Sequence, residues 1–92
     1  MSDLFTLKNK TIVVTGSTGV LGGSFITAIA QAGGQLVLLG RNIEVAESRA
    51  HAICANGGKA IAIKADVLKE AELTKACEQA IKFFGSIHGL VN

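Results

Sequence analysis

Four short apolar runs recur along the chain, and each is separated from the next by a segment with helical spacing. The runs at residues 11–15, 35–39, 60–64 and 87–91 are β-branched or aliphatic and lack strict alternation. That is the pattern of strands covered on both faces. Between them, residues 20–32 carry Leu21, Phe25, Ala28, Ile29 and Ala32 as one stripe and stop at Gly33 and Gly34. Residues 43–55 place Ile43, Ala46, Ala50 and Ile53 in register, with Asn42 as N-cap and Gly57–Gly58 as the stop. Residues 69–84 repeat the arrangement with Leu73, Cys77, Ala80 and Phe84, closed by Gly85. Strand and helix in strict alternation predict parallel strands joined by right-handed crossovers, hence a doubly wound α/β sheet.

Composition narrows the function classes. With 92 residues, 49% of them hydrophobic and 17% charged, the chain is one small globular domain and not a disordered segment. A net charge of +2, with nine basic residues that form no run, predicts no nucleic-acid partner. Cys54 and Cys77 have no CxxC spacing, which excludes a disulfide scaffold and fits a reducing cytoplasm. The opening residues lack a basic stretch followed by a long apolar one, so no secretory leader is expected. The apolar segment 20–32 is too short to span a bilayer, and no membrane association is expected. The pattern stops after the fourth run, at Asn92. A sheet ending there has an open parallel edge, so residues 1–92 read as a domain cut short at its C-terminus, prone to self-association.

The strongest chemical signal is the segment Thr15-Gly16-Ser17-Thr18-Gly19-Val20-Leu21-Gly22-Gly23, directly between the first strand and the first helix. There the free amides of the helix start and its dipole favour an anion. Gly16 suits the tight turn, Gly19 removes a Cβ where the backbone approaches a pyrophosphate, and Gly22 lets the helix pack close on the sheet. Ser17 and Thr18 add hydroxyl donors. The alternative is a glycine-rich turn with no ligand; a Walker loop is excluded because no Gly-Lys-Ser/Thr follows.

The pattern Thr15-Gly16 with Leu21-Gly22, the pair Asp66-Val67 after the third strand, and Gly89-Leu90-Val91-Asn92 at the end resemble the N-terminal half of a short-chain dehydrogenase/reductase. Residues 4–10 and 19–23 look most like the branch of D-mannonate (fructuronate) oxidoreductases. The family's commoner loop, TGxxxGxG, would put its second glycine at Val20; here it stands at Gly19, as in the TGxxGxxG form. The resemblance implies a Rossmann-type sheet with strand order 3-2-1-4. It also implies hydride transfer between a nicotinamide dinucleotide and an alcohol or ketone on a small polar substrate, with a sugar acid as a candidate, and a homo-oligomeric parent enzyme.

The end of the second strand usually tells the two dinucleotides apart, because an acid there bonds the ribose 2′-OH and repels a 2′-phosphate. Gly40 stands at that position and Arg41-Asn42 follow. Arg41 offers a planar fork of donors suited to phosphate, which favours NADP(H) over NAD(H); the alternative is a solvated arginine ahead of the helix. By resemblance, the Asp66 carboxylate accepts from the adenine amino group, the Val67 backbone lies beside the ring, and Asn92 stands near the adenine ribose. Asp66 could also simply start the third helix. The family's catalytic Ser, Tyr and Lys lie beyond the equivalent of Asn92, and this chain contains no Tyr. No catalytic residue is therefore expected in it.

Other residues read more plainly. His51 and Cys54 stand three apart on the second helix but lack a second ligand pair, so no metal site is expected. Cys54 and Cys77 read as small buried hydrophobes, His88 as a strand residue, Phe83-Phe84 as core and the helix glutamates as solvated. A non-catalytic binding module is the competing reading. A methyltransferase half is disfavoured by Arg41, where those proteins usually put an acid.

Overall fold

A computed structural model describes residues 7–15 and 20–91, with the side chains of the first helix described from residue 26 onward. The elements run β1 (Thr11–Val14), α1 (Val20–Gln31), β2 (Gln35–Gly40), α2 (Ile43–Ala55), β3 (Lys59–Lys64), α3 (Glu70–Phe84) and β4 (Gly89–Val91). The strands form one parallel sheet in the order β3-β2-β1-β4. This is the Rossmann-type order expected from the alternation and the resemblance.

Two clusters sandwich the sheet, and strand parity decides which residue joins which. Leu36 and Leu38 pack with Val14, Ile26, Ile29, Ala46, Ala50, Ile53 and Ala60 on the side of α1 and α2. Val37 and Leu39 pack with Val13, Ala65, Ala76 and Ala80 on the side of α3. All four apolar residues of β2, Leu36 to Leu39, are fully buried because that strand is covered on both faces and paired on both edges. Each contributes roughly 1.5–3 kcal/mol from burial. The unbroken apolar run is thus the mark of a central parallel strand.

The first two helices close in the same way. Gly33 takes φ 92° and Gly57 φ 88°, the left-handed conformation that glycine adopts without a Cβ penalty. Gly33 N donates to Ala30 O at 3.0 Å and Gly34 N to Ile29 O at 3.0 Å. In α2 the matching bonds run from Gly57 N to Cys54 O at 3.1 Å and from Gly58 N to Ile53 O at 2.9 Å. This paired pattern is the Schellman closure. A Cβ on Gly34 would lie 2.6 Å from Ile29 Cγ2, and one on Gly58 would lie 2.6 Å from Ile53 Cγ2. The second glycine of each pair is therefore required by packing and not by φ.

Several side-chain expectations are corrected. Among the described side chains of α1, Ile26 and Ile29 are buried while Ala28 faces solvent, so Ile29 of the expected stripe packs and Ala28 does not. Leu21 and Phe25 lie outside the described side chains. Cys54 is exposed, its thiol donating to Ala60 O at 3.5 Å, because it stands one helical step past the buried Ile53. Phe83 is 66% exposed and meets Phe84 edge-on at 4.9 Å; only Phe84 packs against the α3-side cluster. His88 does not occupy β4. It precedes the strand, and its Nδ1 accepts from the Thr11 backbone N–H at 2.9 Å.

Candidate functional site at the carboxyl edge of the sheet

Because all four strands are parallel, every strand exit faces the same edge. The order reverses at β1, where the crossover to β2 and the pairing with β4 diverge. Such a reversal opens a crevice beyond the carboxyl ends of the strands, the place where open α/β sheets take their ligands. The exit of β1 is tied to that of β4: Thr15 donates from both its backbone N, at 2.9 Å, and its Oγ1, at 3.2 Å, to the carbonyl of Val91. Sequence reasoning quoted Thr15 as the start of the glycine loop but missed this clamp.

Of the residues singled out in the loop, Gly16, Ser17, Thr18 and Gly19 lie outside the described residues, as does Asn92. Val20, Leu21 and Gly22 form the first turn of α1. α1 thus presents its amino end, the positive end of the helix dipole, to the carboxyl edge.

At the exit of β2, Asn42 caps α2 as its sequence position suggested. Its Oδ1 accepts from Val45 N at 3.4 Å. This leaves the Asn42 amide nitrogen as a donor and sets Arg41, exposed, just outside the helix. The pairing of β2 with β3 continues one step past the strands, Ala65 N donating to Gly40 O at 3.0 Å. Arg41 and Asp66 therefore each leave the sheet directly after a bonded pair, which brings their loops side by side.

Asp66 is half-buried and opens the turn into α3. Its Oδ1 accepts from Leu68 N at 3.1 Å, its backbone N donates to Glu72 Oε1 at 2.8 Å, and its carbonyl accepts from Lys69 N at 2.9 Å. Asp66 does shape the start of α3, yet a carboxylate has further lone pairs for a second donor. Glu72 reaches back to the turn ahead of α3, whereas helical spacing alone put it on a solvated face. Its 3.7 Å ion pair with Lys69 is exposed and adds little. Val67 packs its side chain against the α3-side cluster.

A groove of about 450 Å³ lies elsewhere, between α1 and α2, lined by Ile26, Ala30, Gln31, Arg49, Ile53 and Asn56. It sits towards the carboxyl ends of both helices, where the dipoles are negative, which makes it a poor seat for phosphate. Among the described residues no three His, Cys, Asp or Glu side chains gather to hold a metal ion. No described helix is long and apolar enough to cross a membrane.

Residues 10–92 match the family model of the short chain dehydrogenases. This chain belongs to that family. An uncharacterised oxidoreductase of Listeria monocytogenes is 36% identical to it over 85 residues, covering 92% of this chain and 34% of the relative. A hydroxysteroid dehydrogenase from Escherichia coli superposes on this short-chain dehydrogenase with a TM-score of 0.94 at 30% identity, over 100% of this chain and 38% of that one. A Haemophilus influenza protein assigned as a D-mannonate oxidoreductase, with bound NAD, gives a TM-score of 0.90 at 33% identity, over 96% of this chain and 31% of that one. The likeness to D-mannonate oxidoreductases read from residues 4–10 and 19–23 is met again in that neighbour. This short-chain dehydrogenase chain spans about a third of the length of these relatives.

Proposed function

We propose that this chain is the dinucleotide-binding part of a cytoplasmic, homo-oligomeric oxidoreductase. The enzyme moves a hydride reversibly between NADP(H) and an alcohol or ketone on a small polar substrate. A sugar acid is the substrate class suggested by the D-mannonate-like neighbour. The nicotinamide supplies the hydride chemistry when bound, and this chain's own residues bind and orient the dinucleotide. Gly16, Ser17, Thr18 and Gly19, with the helix start at Val20, Leu21 and Gly22, hold the pyrophosphate. Arg41 holds the 2′-phosphate, Asn42 caps the helix that follows Arg41 and offers its amide, Asp66 accepts from the adenine amino group beside Val67, and Asn92 lies near the ribose.

The observation that carries the cofactor preference is Gly40 at the end of β2, followed at once by an exposed Arg41. Among the described residues no carboxylate pairs with Arg41, so its donors are open to an anion. With no Tyr, the chain has no phenol to act as acid or base, and by itself it is expected to turn over nothing. Titration with NADPH and NADH, followed by nucleotide fluorescence, tests the preference: NADPH binds more tightly on this reading, and tighter binding of NADH overturns it. Turnover of a ketone panel with NADPH by the 92-residue chain would refute the expected inactivity.

A second reading, a self-associating binding module without catalysis, draws support from exposed apolar residues. Leu68 is 88%, Phe83 66% and Leu90 54% exposed, and such surface favours association. Sedimentation showing a stable monomer would count against it.

A further inference from the structure

We propose that Lys64 is a second determinant of the dinucleotide preference, its ammonium sharing the ribose 2′-phosphate with the Arg41 guanidinium. The inference rests on the NADP(H) reading and adds a residue that motif reasoning did not reach.

It starts from strand register. Gly40, the last residue of β2, pairs with Lys64, the last residue of β3. Parity then fixes the face. Leu36 and Leu38 pack on the side of α1 and α2, so position 40 continues that face. Ala60 and Ala62 pack against the same cluster, so Lys64 continues it on β3. Gly40 and Lys64 are therefore lateral neighbours on one face of adjacent strands, about 4.8 Å apart across the pairing. An acid at position 40 would stand beside Lys64 and neutralise it as a cross-strand pair. Glycine there leaves the lysine charge uncompensated.

Next to the exits of β2 and β3 stand Glu44, in the first turn of α2, and Asp66, after β3. Asp66 is engaged by Leu68 N, and among the described residues Lys64 enters no ion pair. Lys64 is exposed, and its flexible four-carbon stem can follow a ligand at the edge. A phosphate monoester carries about −1.5 to −2 charge near neutral pH, more than one arginine compensates. The fork of Arg41 and the point charge of Lys64 together match it.

The test compares adenosine 2′,5′-bisphosphate with AMP, which differ only in the 2′-phosphate, by calorimetric titration of the 92-residue chain. Lys64→Met is expected to weaken the bisphosphate roughly tenfold, the loss of one charge-assisted contact, and to leave AMP unchanged. Lys64→Arg, which keeps the charge, is expected to retain most of the affinity. Gly40→Asp should abolish the distinction between the two ligands by neutralising Lys64 and repelling the phosphate. If Lys64→Met leaves the ratio of the two affinities unchanged while Arg41→Ala collapses it, the Lys64 inference is overturned and the NADP(H) reading stands. If the wild-type chain does not favour the bisphosphate over AMP, both are overturned.

Discussion

Replacing His88 by alanine removes the side-chain acceptor that serves the backbone N–H of Thr11 at the start of β1. Thr11 has no exposed surface, and its N–H donates to His88 Nδ1 at 2.9 Å in place of a backbone ladder bond. The other side of the same junction is an ordinary bond from His88 N to Thr11 O at 2.8 Å, so the imidazole completes the pairing of β1 with the segment entering β4. Leaving a buried donor unsatisfied costs about 1–3 kcal/mol. The ring itself is exposed and water can partly replace it, so the cost belongs near the lower end, about 1 kcal/mol. For a domain of this size that lowers the melting temperature by about 4–8 °C.

Asparagine and aspartate carry an acceptor oxygen the same number of bonds from the backbone as Nδ1, so His88→Asn and His88→Asp are expected to restore most of the loss. Thermal unfolding, with hydrogen exchange at the Thr11 amide as the local readout, decides the matter. Unchanged melting and unchanged Thr11 exchange in His88→Ala would refute the reasoning.

Other outcomes follow from the same packing. Gly34→Ala is expected to destabilise by about 1–3 kcal/mol through its clash with Ile29 Cγ2, whereas Gly57→Ala, which meets no atom within 4 Å, costs only the strain of φ 88°, about 1 kcal/mol. Denaturant midpoints of the two variants test that difference. Leu38→Ala, at a fully buried site on β2, is expected to cost about 2–5 kcal/mol in the same assay. Arg41→Ala should weaken NADPH roughly tenfold and leave NADH unchanged in fluorescence titration.

The sequence is most legible where one residue type does one local job. The limits of α2, Ile43–Ala55, coincide with the apolar spacing because Asn42 and the following glycine pair mark both ends. β2 is legible because four consecutive buried aliphatics admit little else. The stripe of α1 is not, since Phe25, Ile26, Ala28, Ile29, Ala30 and Ala32 leave that helix apolar on several sides and periodicity selects no unique face. The contacts of His88 with Thr11 and of Thr15 with Val91 span 77 and 76 residues. No local pattern announces bonds that exist only once the sheet has assembled. Glu72 reads as solvated on helical spacing alone, and its bond to Asp66 N depends on the turn path ahead of α3. At the carboxyl edge the residue types were readable, but that Lys64 stands beside Gly40 required the register.

The matched closures of α1 and α2 divide the labour between the two ends of the sheet. At the amino edge, one glycine pair turns the chain and the next isoleucine-to-glycine contact locks the phase of the incoming strand, twice over. With phase fixed there, the exits at the opposite edge are free to differ, and they do: a glycine-rich segment after β1, an Arg-Asn step after β2, an acidic turn after β3. A chain built this way can trade one ligand preference for another by exchanging residues at the exits while its aliphatic interior keeps the same alignment. Engineering that begins at positions 40, 41 and 64 therefore works on the variable end of the domain and leaves its fixed end alone.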